Sequence, residues 1–126
     1  MKKYAFILFL LSISNTFSQT VSQDIVGKWQ LQIIELDGDQ VSAKEAFDTN
    51  NIFQIYSANN QFQSIVDDKI NKGTWRISED QKSVIINLST KKEDKVLEIT
   101  KLSSTELELH ALKVDQELRF YYKKKM

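Results

Sequence analysis

The chain has 126 residues, with 17 basic and 17 acidic side chains, one histidine, and neither cysteine nor proline. That inventory excludes a disulfide scaffold and leaves little material for nucleophilic or metal chemistry. The balanced charge gives no bulk attraction to nucleic acid.

Met1-Lys2-Lys3 is a short positive segment, followed by an apolar run from Tyr4 to Ile13 and a more polar stretch from Ser14 to Ser18. This is the layout of a secretory signal. The apolar run is about ten residues, short of the ~20 that span a bilayer. Thr16 and Ser18 are small enough for the −3 and −1 positions, so cleavage after Ser18 is expected. Removing 18 residues from 126 leaves 108, a single domain at 19–126, with 15 basic against 17 acidic side chains. No cysteine follows the apolar run to take a lipid, so no stable membrane anchor is expected after cleavage. The mature chain is expected to be secreted or periplasmic.

The rest of the chain reads as strands. Gly27 to Asp37 alternates, with Trp29, Leu31 and Ile33 on one face, and then changes phase at Ile34 and Leu36. A one-residue slip exchanges the two faces of a strand, so a bulge near Ile33 and Ile34 is expected. Asp37-Gly38-Asp39 marks a turn. Ser42-Ala43-Lys44-Glu45 has the capping-box pattern. Either one helical turn follows it, or an extended connection with Phe47 pinned to the core. Ile52–Tyr56, with Phe53 and Ile55 on one face, and Gln61–Val66 form a hairpin about Asn59-Asn60. Gly73–Ile77 places Trp75 inward and Thr74 and Arg76 outward. Ser83–Ser89, Val96–Lys101, Thr105–Ala111 and Glu117–Lys123 complete the set. Their inward residues include Val84, Ile86, Leu97, Leu107, Leu109, Phe120 and Tyr122.

About eight short strands at this spacing fit an up-and-down barrel or a sandwich. Short sequential connections favour a meander. Closure also removes the exposed edges that make an exported sheet aggregate. The expected class is therefore all-β: a small antiparallel up-and-down β-barrel.

Ile25-Val26-Gly27-Lys28-Trp29 resembles the opening of the lipocalin-like domains of exported Bacteroidota proteins. The resemblance continues through the hairpin with Ile52-Phe53 and Phe62, and through Gly73-Thr74-Trp75-Arg76-Ile77. Leu102-Ser103-Ser104-Thr105-Glu106-Leu107-Glu108-Leu109 and the final Phe120-Tyr121-Tyr122-Lys123 extend it over the mature chain. It implies the barrel. The chain lacks a Thr-Asp-Tyr-type motif and the strand-end arginine of the fuller lipocalin signature, so it implies no particular ligand chemistry.

Gly27 and Trp29 are read as a structural plug at the barrel base, with Trp29 packed under a long side chain. Trp75, Phe53, Phe62, Tyr122 and Phe120, inward by parity and drawn from different strands, are the candidate lining of a cavity. His110, with Glu106 and Glu108 on its face, reads as a solvated strand face, since alternate residues lie ~7 Å apart and do not converge on a metal. Asp67-Asp68 lacks the spacing of a calcium loop. Asn87-Leu88-Ser89 lies inside a strand, and Lys123-Lys124-Lys125 reads as a solubilising basic tail. No catalytic set, metal or cofactor is expected. Two functions remain: a binding protein that holds a small apolar or amphipathic molecule in the barrel mouth, and a filled-core module that binds another envelope or secreted protein. The many large inward side chains on short strands favour a small cavity or none.

Overall fold

A computed structural model of the chain describes residues 21–111 and 115–125. The expected cleavage site after Ser18 lies outside the described residues. Among them are two short helices and nine strands: α1 (21–25), β1 (Gly27–Leu36), β2 (Asp39–Ser42), α2 (Ala43–Phe47), β3 (Ile52–Tyr56), β4 (Gln61–Val66), β5 (Lys69–Ile77), β6 (Ser83–Leu88), β7 (Lys95–Leu102), β8 (Glu106–Ala111) and β9 (Leu118–Lys125). Eight of the strands close an antiparallel barrel in the order β1-β3-β4-β5-β6-β7-β8-β9, with β9 returning to β1. The ninth, β2, folds back on the upper half of β1.

The phase change in β1 is a bulge. The β1–β9 register shifts between Leu31 and Ile33, so Trp29, Leu31 and Ile34 are buried while Ile33 sits opposite Tyr121 on the outer face. Ile33 therefore leaves the face expected for it, because the extra residue is Gln32, one position earlier. A second register shift lies between Ile99 and Lys101 in β7. Bulges bend and twist strands, which is what closing a small barrel requires.

Turn chemistry sets the hairpins. Asp37 and Gly38 both have positive φ, 50° and 89°, as a two-residue type I′ turn demands. This turn creates β2, which its own sequence, Asp-Gln-Val-Ser, does not announce. Similarly, Asp67 at φ 56° reverses the chain directly into β5. That strand begins at Lys69, four residues before the expected Gly73, because Lys69–Lys72 pair with Gln63–Val66. The helical alternative holds after Ser42, whose Oγ accepts from the Glu45 N–H at 3.1 Å. Phe47 is half exposed rather than pinned to the core. Residues Lys123–Lys125 belong to β9 and are not a tail.

The two ends of the barrel differ. At the base, where the chain enters through α1, Ile25, Trp29, Tyr56, Val84, Leu107 and Leu109 are essentially inaccessible. The other end carries the β1–β2 hairpin, α2, the β4–β5 turn and the connection between β6 and β7. The side chains left exposed there include Leu36, Val41, Phe47 and Val66.

Candidate ligand cavity

The base is a closed floor. Trp29 donates from Nε1 to the Ile25 carbonyl at 2.8 Å, which ties α1 across the barrel end. Lys124 places its amine 4.9 Å from the Trp29 ring centroid and donates to the Val26 carbonyl at 2.9 Å. The indole is thus fully covered, with its one polar atom satisfied. Gly27 is required here. Its φ is +143°, and a Cβ would come within 2.6 Å of the Lys124 Cε. The second Gly-x-Trp follows the same logic. A Cβ on Gly73 would collide with the Asn87 carbonyl oxygen on β6. The close approach of the two backbones lets Trp75 turn under the cavity, where its Nε1 donates to the Ser57 carbonyl at 2.9 Å. Tyr56 packs edge-on against both Phe62 and Trp75, at centroid distances of 5.1 and 5.7 Å.

Above this floor lies a cavity of about 810 Å³, open at the far end. It corrects the expectation of a small cavity or none. The strands are short, but Trp29, Tyr56 and Trp75 pack at the base and do not fill the upper interior. The upper interior is lined by Leu31, Ile52, Ser64, Ile86, Leu97 and Ala111 together with Phe62, Phe120 and Tyr122. The volume lies within the ~300–1,000 Å³ usual for small-molecule sites.

The expected lining residues separate into three groups. Phe62, Phe120 and Tyr122 line the cavity, and Phe120 and Tyr122 lie 6.5 Å apart by ring centroid. Trp75 points inward but sits in the floor beneath. Phe53 is on the outer face, where the Lys28 amine lies 4.4 Å from its ring centroid. Its parity was misleading because both faces of β3 carry apolar residues. The ladder decides: Trp29 is inward and sits opposite Gln54, so Ile52, Gln54 and Tyr56 face inward and Phe53 and Ile55 do not.

The sequence reading missed Gln54 and Ser64, which face each other across β3 and β4 inside the cavity. A polar residue at inward parity between apolar neighbours was the available signal. Tyr56 donates its hydroxyl to Gln54 Oε1 at 2.7 Å. Burial holds the Tyr56 and Tyr122 phenols well above their ordinary value, and for Tyr56 the neighbouring Tyr122 adds to the shift. Both are neutral hydroxyls at any physiological pH. The mouth carries Lys91, Lys92, Glu93, Asp94 and Lys95. Asp94 is engaged by Asn87 at 2.7 Å and faces Arg76 at 3.9 Å.

The outer face of β7, β8, β9 and β1 carries a charged row. His110 lies 3.5 Å from Glu98, and Arg119 lies between Glu35 and Glu108 at 3.7 and 3.5 Å. Among the described residues no group of three or more metal-ligating side chains converges, and no helix is long and apolar enough to cross a membrane.

A closed eight-stranded antiparallel barrel with a plugged base and an open apolar interior is a binding fold of the lipocalin-like kind. The family model of the lipocalin-like domain matches residues 25–109, and the chain belongs to that family. Among solved structures, it is similar to a lipocalin-like protein from Bacteroides uniformis ATCC 8492. The TM-score is 0.62 at 16% identity, with 81% of this chain and 99% of that one covered. It is also similar to a DUF4847 family protein from Bacteroides vulgatus ATCC 8482, with a TM-score of 0.59 at 12% identity over 82% and 96% of the two chains. At such identities the likeness is one of fold. No curated protein matches the chain.

Proposed function

We propose that the chain is an exported binding protein that holds one small apolar or amphipathic molecule in the barrel mouth. The observation that carries this reading is the cavity of about 810 Å³, open at one end above a packed base. A filled-core interaction module would bring its inward side chains to ordinary packing density. Instead, the side chains that line the upper barrel leave it hollow. The apolar walls supply the driving force, roughly 25 cal/mol for each Å² of ligand surface removed from water.

Native mass spectrometry of protein purified from its own host tests the reading directly, since a retained ligand appears as a discrete added mass. Titration with a neutral apolar fluorophore is the complement. Saturable binding that is weakened by Phe120→Ala supports the cavity. No saturable binding across fatty acids, sterols, retinoids and haem, with the barrel folded, would transfer the assignment to the interaction module. Export rests on the signal-like residues 1–18. N-terminal sequencing of secreted material should begin at Gln19, and recovery of an intact Met1 chain in membranes would overturn it.

A further inference from the structure

The cavity is not uniformly apolar. Gln54, Ser64 and Tyr122 bring polar groups into it below the level of the mouth. Gln54 and Ser64 are direct cross-strand partners, so their Cβ atoms stand about 5 Å apart. The Tyr56 hydroxyl donates to Gln54 Oε1, which fixes the amide and leaves both N–H groups of Nε2 for another partner. Among the described residues none gives a hydrogen-bond partner to Gln54 Nε2, Ser64 Oγ or Tyr122 Oη. An apolar residue at any of these positions would face the cavity at no polar cost.

We propose that the occupant carries an uncharged oxygen head group, a hydroxyl or carbonyl, which enters first and is met by Gln54, Ser64 and Tyr122, while its apolar tail extends toward the mouth. This rests on the cavity reading above. The head is uncharged because, among the described residues, the cations that line the cavity, Lys91, Lys92 and Lys95, belong to the β6–β7 connection and the start of β7 at the mouth. A carboxylate driven to the depth of Gln54 would be buried without a counter-charge, which is strongly unfavourable. Among the described residues, the donors at that depth are an amide N–H pair and two hydroxyls. They suit an oxygen acceptor, and the hydroxyls also accept from an alcohol.

The test is displacement of the neutral probe N-phenyl-1-naphthylamine by three ten-carbon competitors: 1-decanol, 1-chlorodecane and decanoate. The wild type should prefer 1-decanol over both others by about tenfold, the scale of one satisfied buried hydrogen bond. Gln54→Leu and Tyr122→Phe, the latter removing only an oxygen, should each weaken 1-decanol about five- to tenfold and leave 1-chlorodecane equal or tighter. Circular dichroism checks that each variant is folded. Equal binding of 1-decanol and 1-chlorodecane in the wild type and both variants would overturn the polar-head assignment while keeping the cavity. Tightest binding by decanoate, lost in a Lys91→Gln, Lys95→Gln double variant, would reverse the orientation and overturn it as well. Failure of the probe itself to bind would overturn the cavity reading, and this inference with it.

Discussion

The two ends of this barrel use similar residues to opposite effect. At the base, Trp29, Tyr56, Trp75 and Phe62 interlock, and each indole N–H is spent on a backbone carbonyl. At the mouth, Phe47 and Val66 are exposed and Phe120 lines open space. The base spends its aromatic surface on stability, and the mouth leaves apolar surface uncovered, which on the proposed reading a small molecule would cover. The difference shows why binding barrels can afford a hollow half: closure by hydrogen bonds secures the edges, and one packed end supplies the core.

The sharpest break in this comparison is Trp29→Ala. Deleting a fully buried aromatic costs about 3–5 kcal/mol, a large part of the ~5–15 kcal/mol of a domain this size. Chemical denaturation should show the loss, and a change under ~1 kcal/mol would contradict the base as described. Gly73→Ala should cost about 1–3 kcal/mol, as an overpacked site does, because the added methyl meets backbone on β6. A neutral outcome there would mean that β5 and β6 separate easily.

Filling the cavity should have the opposite sign. Ser64→Leu places apolar volume in the cavity and should stabilise by about 0.5–2 kcal/mol, the usual return from cavity filling, while it reduces probe capacity. If stability falls instead, the cavity walls are already packed. Ser42→Ala removes the cap of α2 and should cost about 1 kcal/mol, with the loss confined to the mouth in hydrogen exchange.

The smallest effect at neutral pH concerns the buried phenols. Their folded values lie above the ordinary 10.0, so the native state keeps protons that the unfolded chain releases. This contribution is complete below about pH 10 and is lost as the pH rises through the folded values. The denaturation midpoint should therefore owe no change to these groups up to about pH 10 and should fall above it, and Tyr122→Phe should flatten part of that fall. An unchanged profile would place Tyr122 in water.

Most strands were legible because alternation is a local signal. Trp29 and Leu31, Val84 and Ile86, and Leu107 and Leu109 each lie two residues apart and face the same interior. The bulge was legible to within a residue, because only an extra residue reconciles Leu31 with Ile34. The cap at Ser42 was legible because its acceptor and donor are three residues apart. What failed was whatever depended on a partner strand. Parity alone puts Phe53 inside because both faces of β3 are apolar, and only pairing of Trp29 with Gln54 chooses between them. The first half of β5 carries no local signal because Lys69–Lys72 becomes a strand by pairing with β4. The size of the cavity is not legible locally because interior volume is a sum over eight strands, and no window of sequence contains it.

The sequence by itself determined the class and the periodicity: short alternating strands, two Gly-x-Trp positions, turn residues at fixed intervals and no disulfide to replace a core. These follow from backbone sterics and side-chain alternation, which act over a few residues. Only the tertiary structure decided which face of β3 turned inward, that both tryptophans and Tyr56 packed at one end, and that Gln54, Ser64 and Tyr122 met inside an apolar space. Those outcomes depend on register and closure, which couple residues as far apart as Trp29 and Lys124, and no local pattern carries information over that distance.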